Sequence, residues 1–156
     1  MEEETKVSMY INQGCLVVPI QADLYNESVL QIQADILKTV YDSRIKGVII
    51  DVSAVAIIDS VIAQKIFDSA KMTSLLGAKT IVTGLQPGVV ASLIDLDFEP
   101  GDVTTAISLE EGFKLLEPIL TAKEERQEAD EPAADIDQNE EGDKISEGEI
   151  GTDEKK

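Results

Sequence analysis

The sequence predicts a small α/β domain, a mostly parallel sheet of four or five strands with about four helices. Two observations support this. First, the apolar run Val48–Ile50 within residues 47–62 is too short to span a membrane. It is also too continuous for a strand with one face in water, so it fits a strand covered on both faces. Second, β-prone runs alternate with amphipathic helical stripes, which favours strand–helix–strand units, parallel pairing and right-handed crossovers.

The chain begins with a predicted β-hairpin and a long helix. Val7–Ile11 and Cys15–Ile20 are β-prone runs separated by Asn12-Gln13-Gly14, and Asn and Gly between apolar runs are typical of a hairpin turn. A helix should follow from Asn26, a residue type that caps helices, to about Ser43. Its predicted buried stripe consists of Val29, Ile32, Ile36 and Val40, widened by Leu30, Leu37 and Tyr41.

Two further helices and two strands are predicted in the middle of the chain. The segment after Asp59-Ser60 has the three- and four-residue spacing of an amphipathic helix, and Gly77 is a suitable C-cap. Its stripe consists of Ile62, Ile66, Ala70 and Thr73. Strand Lys79–Thr83 follows, and the Pro87-Gly88 punctuation then leads into a short apolar helix at Val89–Leu96.

A short edge strand and a final helix complete the predicted fold. The strand is expected at Thr104–Ile107. Ser108-Leu109-Glu110-Glu111 has the serine-to-glutamate spacing of a capping box, which marks a helix start. The buried side of that helix should consist of Phe113, Leu115, Leu116 and Leu120.

Composition divides the chain into two parts. Residues 122–156 contain 14 acidic and 5 basic residues and no aromatic residue. Such a segment cannot bury enough apolar surface to offset its ordering entropy, so we expect a folded domain over residues 1–121 and a disordered acidic tail over 122–156. The net charge of −18 is divided equally between the two parts. This charge disfavours binding to nucleic acid and to anionic membrane surfaces.

Neither a secretion signal nor a membrane span is predicted. The amino terminus lacks a basic segment followed by an apolar stretch, and nowhere do about 18 apolar residues run together. We therefore expect a cytoplasmic protein. A single cysteine, Cys15, excludes an internal disulfide and fits a small apolar residue at the start of a strand.

Several kinds of catalytic site are excluded by composition. The chain has no histidine and one cysteine, so Ser-His-Asp and Cys-His systems cannot form within it. Its ten glycines form neither of the phosphate-binding patterns. We therefore predict no enzymatic activity, no cofactor and no metal. A small α/β enzyme or receiver domain is the alternative from another class, and it would show divalent-ion binding through Asp51. We favour a turn role for Asp51, accepting backbone donors of the following loop.

Asp59 and Ser60 precede a helix, and either residue type is a good N-cap. The same position suits a phosphoserine, because exposed amides and the helix dipole tolerate a phosphate at a helix start. The phosphate would add a charge of about −1.5 to −2 beside Asp59, Val61 and Ile62. A partner docked there should then bind less tightly.

Several blocks resemble the STAS domain family of anti-sigma-factor antagonists. They are Val48–Val52, the loop Val55–Ile58, Asp59–Ala63, Leu76–Lys79 and Thr83–Pro87, and the resemblance covers about residues 7–120. It implies that Ser60, which follows the aspartate, is the phosphorylation site. Loop and partner-contact roles are expected for Asp51, Ile58, Asp59, Val61 and Ile62. A second modifiable position maps onto Ser92, for which we favour a structural role as a helix-facing serine.

The resemblance also implies a function. Within the family, the pattern is similar to stressosome scaffolds, which are not catalytic. They form homo- and hetero-oligomers with STAS-bearing sensor paralogues and hold an RsbT-type serine kinase. Phosphorylation of the scaffold releases that kinase, and a serine phosphatase resets the site. The alternative is a free small STAS antagonist that binds an anti-sigma-factor kinase without a large assembly. The acidic tail departs from the compact family pattern.

Overall fold

The computed structural model describes residues 8–22 and 26–122. It begins with the predicted hairpin, formed by β1 (Tyr10–Asn12) and β2 (Cys15–Pro19), which pair antiparallel. The two turn residues, Gln13 and Gly14, have φ values of +53° and +78°. Two consecutive positive φ values are typical of a type I′ turn, whose twist matches that of the flanking strands.

Helices and strands then alternate as predicted. They are α1 (Asn26–Ser43), β3 (Gly47–Asp51), α2 (Ser60–Leu75), β4 (Lys79–Thr83), α3 (Pro87–Asp95) and β5 (Thr104–Ala106). A last helix, α4, covers residues 109–122 of the described part of the chain. The sequence prediction of element order and type is confirmed for these elements.

The five strands form one sheet in the order β1-β2-β3-β4-β5, with β2 to β5 parallel. Cys15, Gly47 and Lys79 lie side by side where β2, β3 and β4 begin, and we call this the lower end of the sheet. Pro19, Asp51 and Thr83 lie side by side where the same strands finish, at the upper end. Each connection from a strand to the following helix therefore lies at the upper end.

Both faces of the sheet are covered, as the continuous apolar run of β3 predicts. Val48 and Ile50 belong to the larger core cluster, together with residues of α1, α2 and α3. Ile49 points to the other face, where it packs in a smaller cluster with Leu116 of α4. These three β3 side chains are at most 1% exposed.

Helix α4 approaches the second face of the sheet closely. A Cβ atom on Gly112 would lie 2.9 Å from Cγ2 of Thr83, so glycine allows this approach. At the helix start the Glu111 amide donates to Ser108 Oγ at 3.2 Å, as a capping box requires. The Glu111 carboxylate accepts from the amide of Ile107 at 2.8 Å instead of from that of Ser108.

Three predicted core positions are exposed. On α1, Leu30 and Tyr41 are 49% and 73% exposed, and on α4, Leu115 is 44% exposed. On α1 the flank facing α2 is occupied by the buried Gln33, whose Nε2 donates to Ser69 Oγ at 3.2 Å. The buried face of α1 is therefore narrower than its apolar composition suggests.

The first compact unit of the chain ends at Leu120. From residue 123 onward, the predicted acidic tail lies outside the described residues. Within the described ranges, no helix is long and apolar enough to cross a membrane.

Candidate functional site

The loop 52–59 joins β3 to α2 at the upper end of the sheet. Its first residue, Val52, donates its amide to the carbonyl of Thr83 at 2.9 Å, and Val55 closes a turn by donating to the carbonyl of Val52 at 3.0 Å. Val55 and Ile58 are each 5% exposed and pack into the larger core cluster. The loop is thus held both by backbone bonds and by two buried side chains.

Asp51 organises the start of this loop. Its Oδ1 accepts from the Ser53 amide at 3.2 Å and from Thr83 Oγ1 at 3.2 Å, while its Oδ2 accepts from Ser53 Oγ at 3.1 Å. The predicted turn role, accepting a backbone donor of the following loop, is confirmed. The carboxylate also connects β3 and the loop to β4, a contact between segments distant in sequence.

The segment after β4 packs tightly against this loop. Gly84 has a φ of +76°, and a Cβ atom there would lie 2.7 Å from Cβ of Ser53 and 2.9 Å from Oδ1 of Asp51. Gln86 donates through Nε2 to the carbonyl of Ser53. A Cβ atom on Gly88, at the start of α3, would lie 2.9 Å from the carbonyl oxygen of Ala56. The two upper-end segments therefore form one interlocked surface.

Asp59, and not Ser60, caps α2. Asp59 is the N-cap residue with extended backbone angles, and its Oδ1 accepts from the amide of Ile62 at 2.8 Å. Ser60 is the first helical residue and is exposed. Its hydroxyl makes no hydrogen bond to any residue that the structure describes. The sequence left open which of the two residues caps the helix, and the structure leaves the Ser60 hydroxyl available to a partner.

The apolar residues around Ser60 divide into exposed and buried ones. Ile57 and Val61 are 82% and 46% exposed, whereas Ile62 is half-buried against the core. Ile58 was predicted to have a loop and partner-contact role; its buried side chain anchors the loop from inside, and its contact with a partner stays a prediction. The sequence did not single out Ile57, since adjacent isoleucines in a loop follow no period that assigns them to core or surface.

Ser92 lies on α3 and is half-buried. Its Oγ donates to the carbonyl of Gly88, one turn earlier, at 2.9 Å. This bond fits the structural role that we favour for Ser92. Modification of Ser92 stays a prediction.

Cys15 supplies the one thiol of the chain. Burial raises the pKa of the Cys15 thiol, which is fully buried at the lower end of β2. Among residues 8–22 and 26–122 there is no group of three or more Cys, Asp or Glu side chains arranged to hold a metal ion.

Comparisons with known proteins identify the fold. The family model described as STAS domain matches residues 6–109. The RsbT co-antagonist protein RsbRA of Bacillus subtilis is 26% identical over 102 residues, which are 65% of this chain and 37% of that relative. The chain therefore spans well under half the length of RsbRA.

Two solved structures are also similar. One is RsbS of Moorella thermoacetica in a serine-to-glutamate variant, with a TM-score of 0.65 and 24% identity, covering 74% of this chain and 97% of that one. The other is a chain from a structure of the stressosome, which is described there as a signal integration and transduction hub. Its TM-score is 0.64 at 26% identity, with 72% and 97% coverage. The matched family region runs through the hairpin, α1, α2, α3 and β5, and this chain belongs to the STAS domain family.

Proposed function

We propose that this chain is a non-catalytic stressosome scaffold and anti-sigma-factor antagonist that acts in the cytoplasm. It co-assembles with STAS-bearing sensor paralogues and holds an RsbT-type serine kinase, which it releases when Ser60 is phosphorylated. The main supporting observation is the exposed Ser60 hydroxyl at the first position of α2, next to an aspartate that already caps the helix.

The descriptions of two similar proteins support this proposal. RsbRA is described as a co-antagonist of RsbT, and the stressosome structure is described as a signal integration and transduction hub. Transferred to this chain, those descriptions suggest a protein that binds other proteins. The interlocked upper surface fits such a role, because it presents the exposed Ile57 and Val61 on a rigid base.

Charge explains how phosphorylation would release the kinase. A phosphate on Ser60 would be tolerated by the chain itself, since it lies at the positive end of the α2 dipole. It would add a charge of about −1.5 to −2 next to the Asp59 carboxylate. A partner docked on Ile57 and Val61 would have to desolvate that charge, so the complex loses affinity.

Phosphate mapping tests the site. The purified chain is incubated with an RsbT-type kinase and ATP, and phosphate is located by mass spectrometry. We expect phosphate at Ser60, loss of that phosphate in Ser60→Ala, and normal labelling of Ser60 in the matched control Ser92→Ala. Undiminished labelling of Ser60→Ala would refute the proposed site.

Retention and mass test the mechanism. Ser60→Asp should weaken kinase retention in a pull-down, while Ser60→Ala keeps it. Light scattering of either variant mixed with a sensor paralogue should still show a large assembly. If wild-type protein and paralogue give no particle larger than a small complex, the chain is a free STAS antagonist that binds an anti-sigma-factor kinase. A serine phosphatase that removes the Ser60 phosphate should restore retention.

A further inference from the structure

A cavity lies at the lower end of the sheet, far from Ser60. Its volume is about 360 Å³, and its walls come from α2, the start of β4 and the segment before β5. They consist of Ala70, Lys71, Ser74, Ala78, Lys79, Thr80, Asp102 and Val103. The volume falls within the range of about 300–1,000 Å³ that is typical of ligand pockets. Because α2 has 16 residues, its two ends are about 24 Å apart.

The cavity concentrates positive charge in an acidic chain. Lys71 and Lys79 line it, and Lys46 lies close by, with its Nζ 3.5 Å from where a Cβ of Gly77 would be. These are three of the seven lysines and arginines in the described ranges. Neither Lys71 nor Lys79 forms an ion pair with a described residue, whereas Lys114 pairs with Glu110.

These lysines are not needed to close the end of α2. The carbonyl of Thr73 accepts from the amides of Leu76 and Ala78 at 3.0 Å, and that of Ser74 accepts from the amide of Gly77 at 3.0 Å. The backbone therefore satisfies these carbonyls without help from an ammonium group. The hydroxyls of Ser74 and Thr80 are also engaged, with the carbonyl of Lys71 and with Thr73.

An exposed apolar side chain borders the charged cavity. Leu75, in the last turn of α2, is 88% exposed, and the neighbouring Leu76 is 39% exposed. Leu75 follows Lys71 by four residues, so the two lie on the same side of the helix. The apolar surface of Leu75 beside the ammonium groups of Lys71 and Lys79 is complementary to a partner segment with an apolar side chain close to a carboxylate.

We propose that the lower end of α2 is a second docking site, which binds an acidic protein segment with an apolar anchor. A carboxylate of that segment enters the cavity between Lys71 and Lys79, and its apolar side chain covers Leu75. Charge complementarity selects this partner, because the lining contributes two ammonium groups and one carboxylate, and a basic or neutral segment would not offset the positive surplus. The site is independent of the proposed function of Ser60.

Two features of the chain oppose the binding of an acidic segment, namely Asp102 and the net negative charge. Asp102 lies in the cavity wall and repels an incoming carboxylate, which leaves the two lysines a net surplus of one positive charge. The rest of the chain is strongly acidic, but charges beyond about 8 Å are largely screened at physiological salt. Local attraction therefore dominates at that salt, and Asp102→Asn should strengthen binding.

Fluorescence anisotropy tests the proposal with a fluorescein-labelled peptide of two leucines flanked by glutamates, titrated with the full chain. We expect saturable binding at 0.15 M salt that weakens at 0.5 M. The double change Lys71→Glu/Lys79→Glu should weaken binding about tenfold or more. The matched control Lys38→Glu/Lys114→Glu changes the net charge equally at other sites and should bind nearly as the wild type does.

Separate variants distinguish the two parts of the site. Leu75→Ser should weaken the glutamate-leucine peptide but not a peptide in which serines replace the leucines. Asp102→Asn should tighten both. If both double variants lost the same affinity for the peptide, net charge alone would explain the effect and the proposal would be overturned. Absence of saturable binding by the wild type would also overturn it. Circular dichroism spectra of all variants show whether they are folded, and Ser60→Ala should bind the peptide normally.

Discussion

The backbone groups at the two ends of α2 obtain their hydrogen-bond partners in different ways. Each end of a helix leaves backbone groups without intrahelical partners. At the upper end a side chain supplies the partner, since Asp59 accepts from the amide of Ile62 at 2.8 Å. At the lower end backbone amides of Gly77 and Ala78 bond to the carbonyls of Ser74 and Thr73, in a turn where Gly77 has a φ of +83°.

This difference identifies which residues are available for binding. At the upper end Asp59 has a structural role, so the adjacent Ser60 hydroxyl is free to change its chemical state. At the lower end backbone amides already bond to the carbonyls of Thr73 and Ser74, so we infer that Lys71 and Lys79 are available to bind a counter-charge. In both places the residues that we propose to be functional lie next to helix-end groups that already have other partners.

The largest expected effect concerns the buried support of the upper loop. Ile58→Ala removes a side chain that is 5% exposed, and it should lower the free energy of unfolding by about 2–5 kcal/mol. Ile57→Ala, one residue away at 82% exposure, should change it by less than about 0.5 kcal/mol. Urea denaturation of both variants measures the difference. Similar values for the pair would show that the loop is not anchored as described.

A glycine pair compares the two ends directly. Gly84→Ala at the upper end places a Cβ 2.7 Å from Cβ of Ser53 and holds alanine at a φ of +76°. It should lower the free energy of unfolding by about 2–3 kcal/mol. Gly101→Ala at the lower end has a φ of +67° but no atom nearer than Cε of Lys71 at 3.7 Å. Gly101→Ala should therefore lower the free energy of unfolding by about 1 kcal/mol, through backbone strain alone. Equal costs in urea denaturation would contradict the close approach at Gly84.

Periodicity and turn residues were sufficient to predict the elements and their order. The hairpin turn at Gln13-Gly14 follows from local backbone requirements, which the sequence expresses directly. The same holds for the end of α2, although the C-cap residue is Leu76 and the predicted Gly77 follows it with a positive φ. The turn role of Asp51 was also predictable, since its backbone donor, Ser53, lies two residues away.

Features that depend on tertiary packing were not predictable. The bond between Asp51 and Thr83 joins residues 32 positions apart, and the cavity combines three segments separated along the chain. The buried position of Gln33 depends on its bond to Ser69 of α2, and which of Ile57 and Ile58 is buried depends on the path of a loop that has no periodic pattern. Sequence spacing contains no direct measure of these contacts.

The smallest expected effect separates capping from switching at the upper end. Asp59→Ala removes the side chain that accepts from the Ile62 amide, and should lower the free energy of unfolding by about 1 kcal/mol. Ser60→Ala removes an exposed hydroxyl with no described partner, and should change it by less than about 0.5 kcal/mol. Asp59→Asn is the matched control, since its side-chain oxygen can still cap the helix. Urea denaturation of the three variants at constant salt gives the values. If Ser60→Ala were as costly as Asp59→Ala, the serine would share the capping role, and phosphorylation would then disturb α2 itself as well as the docked partner.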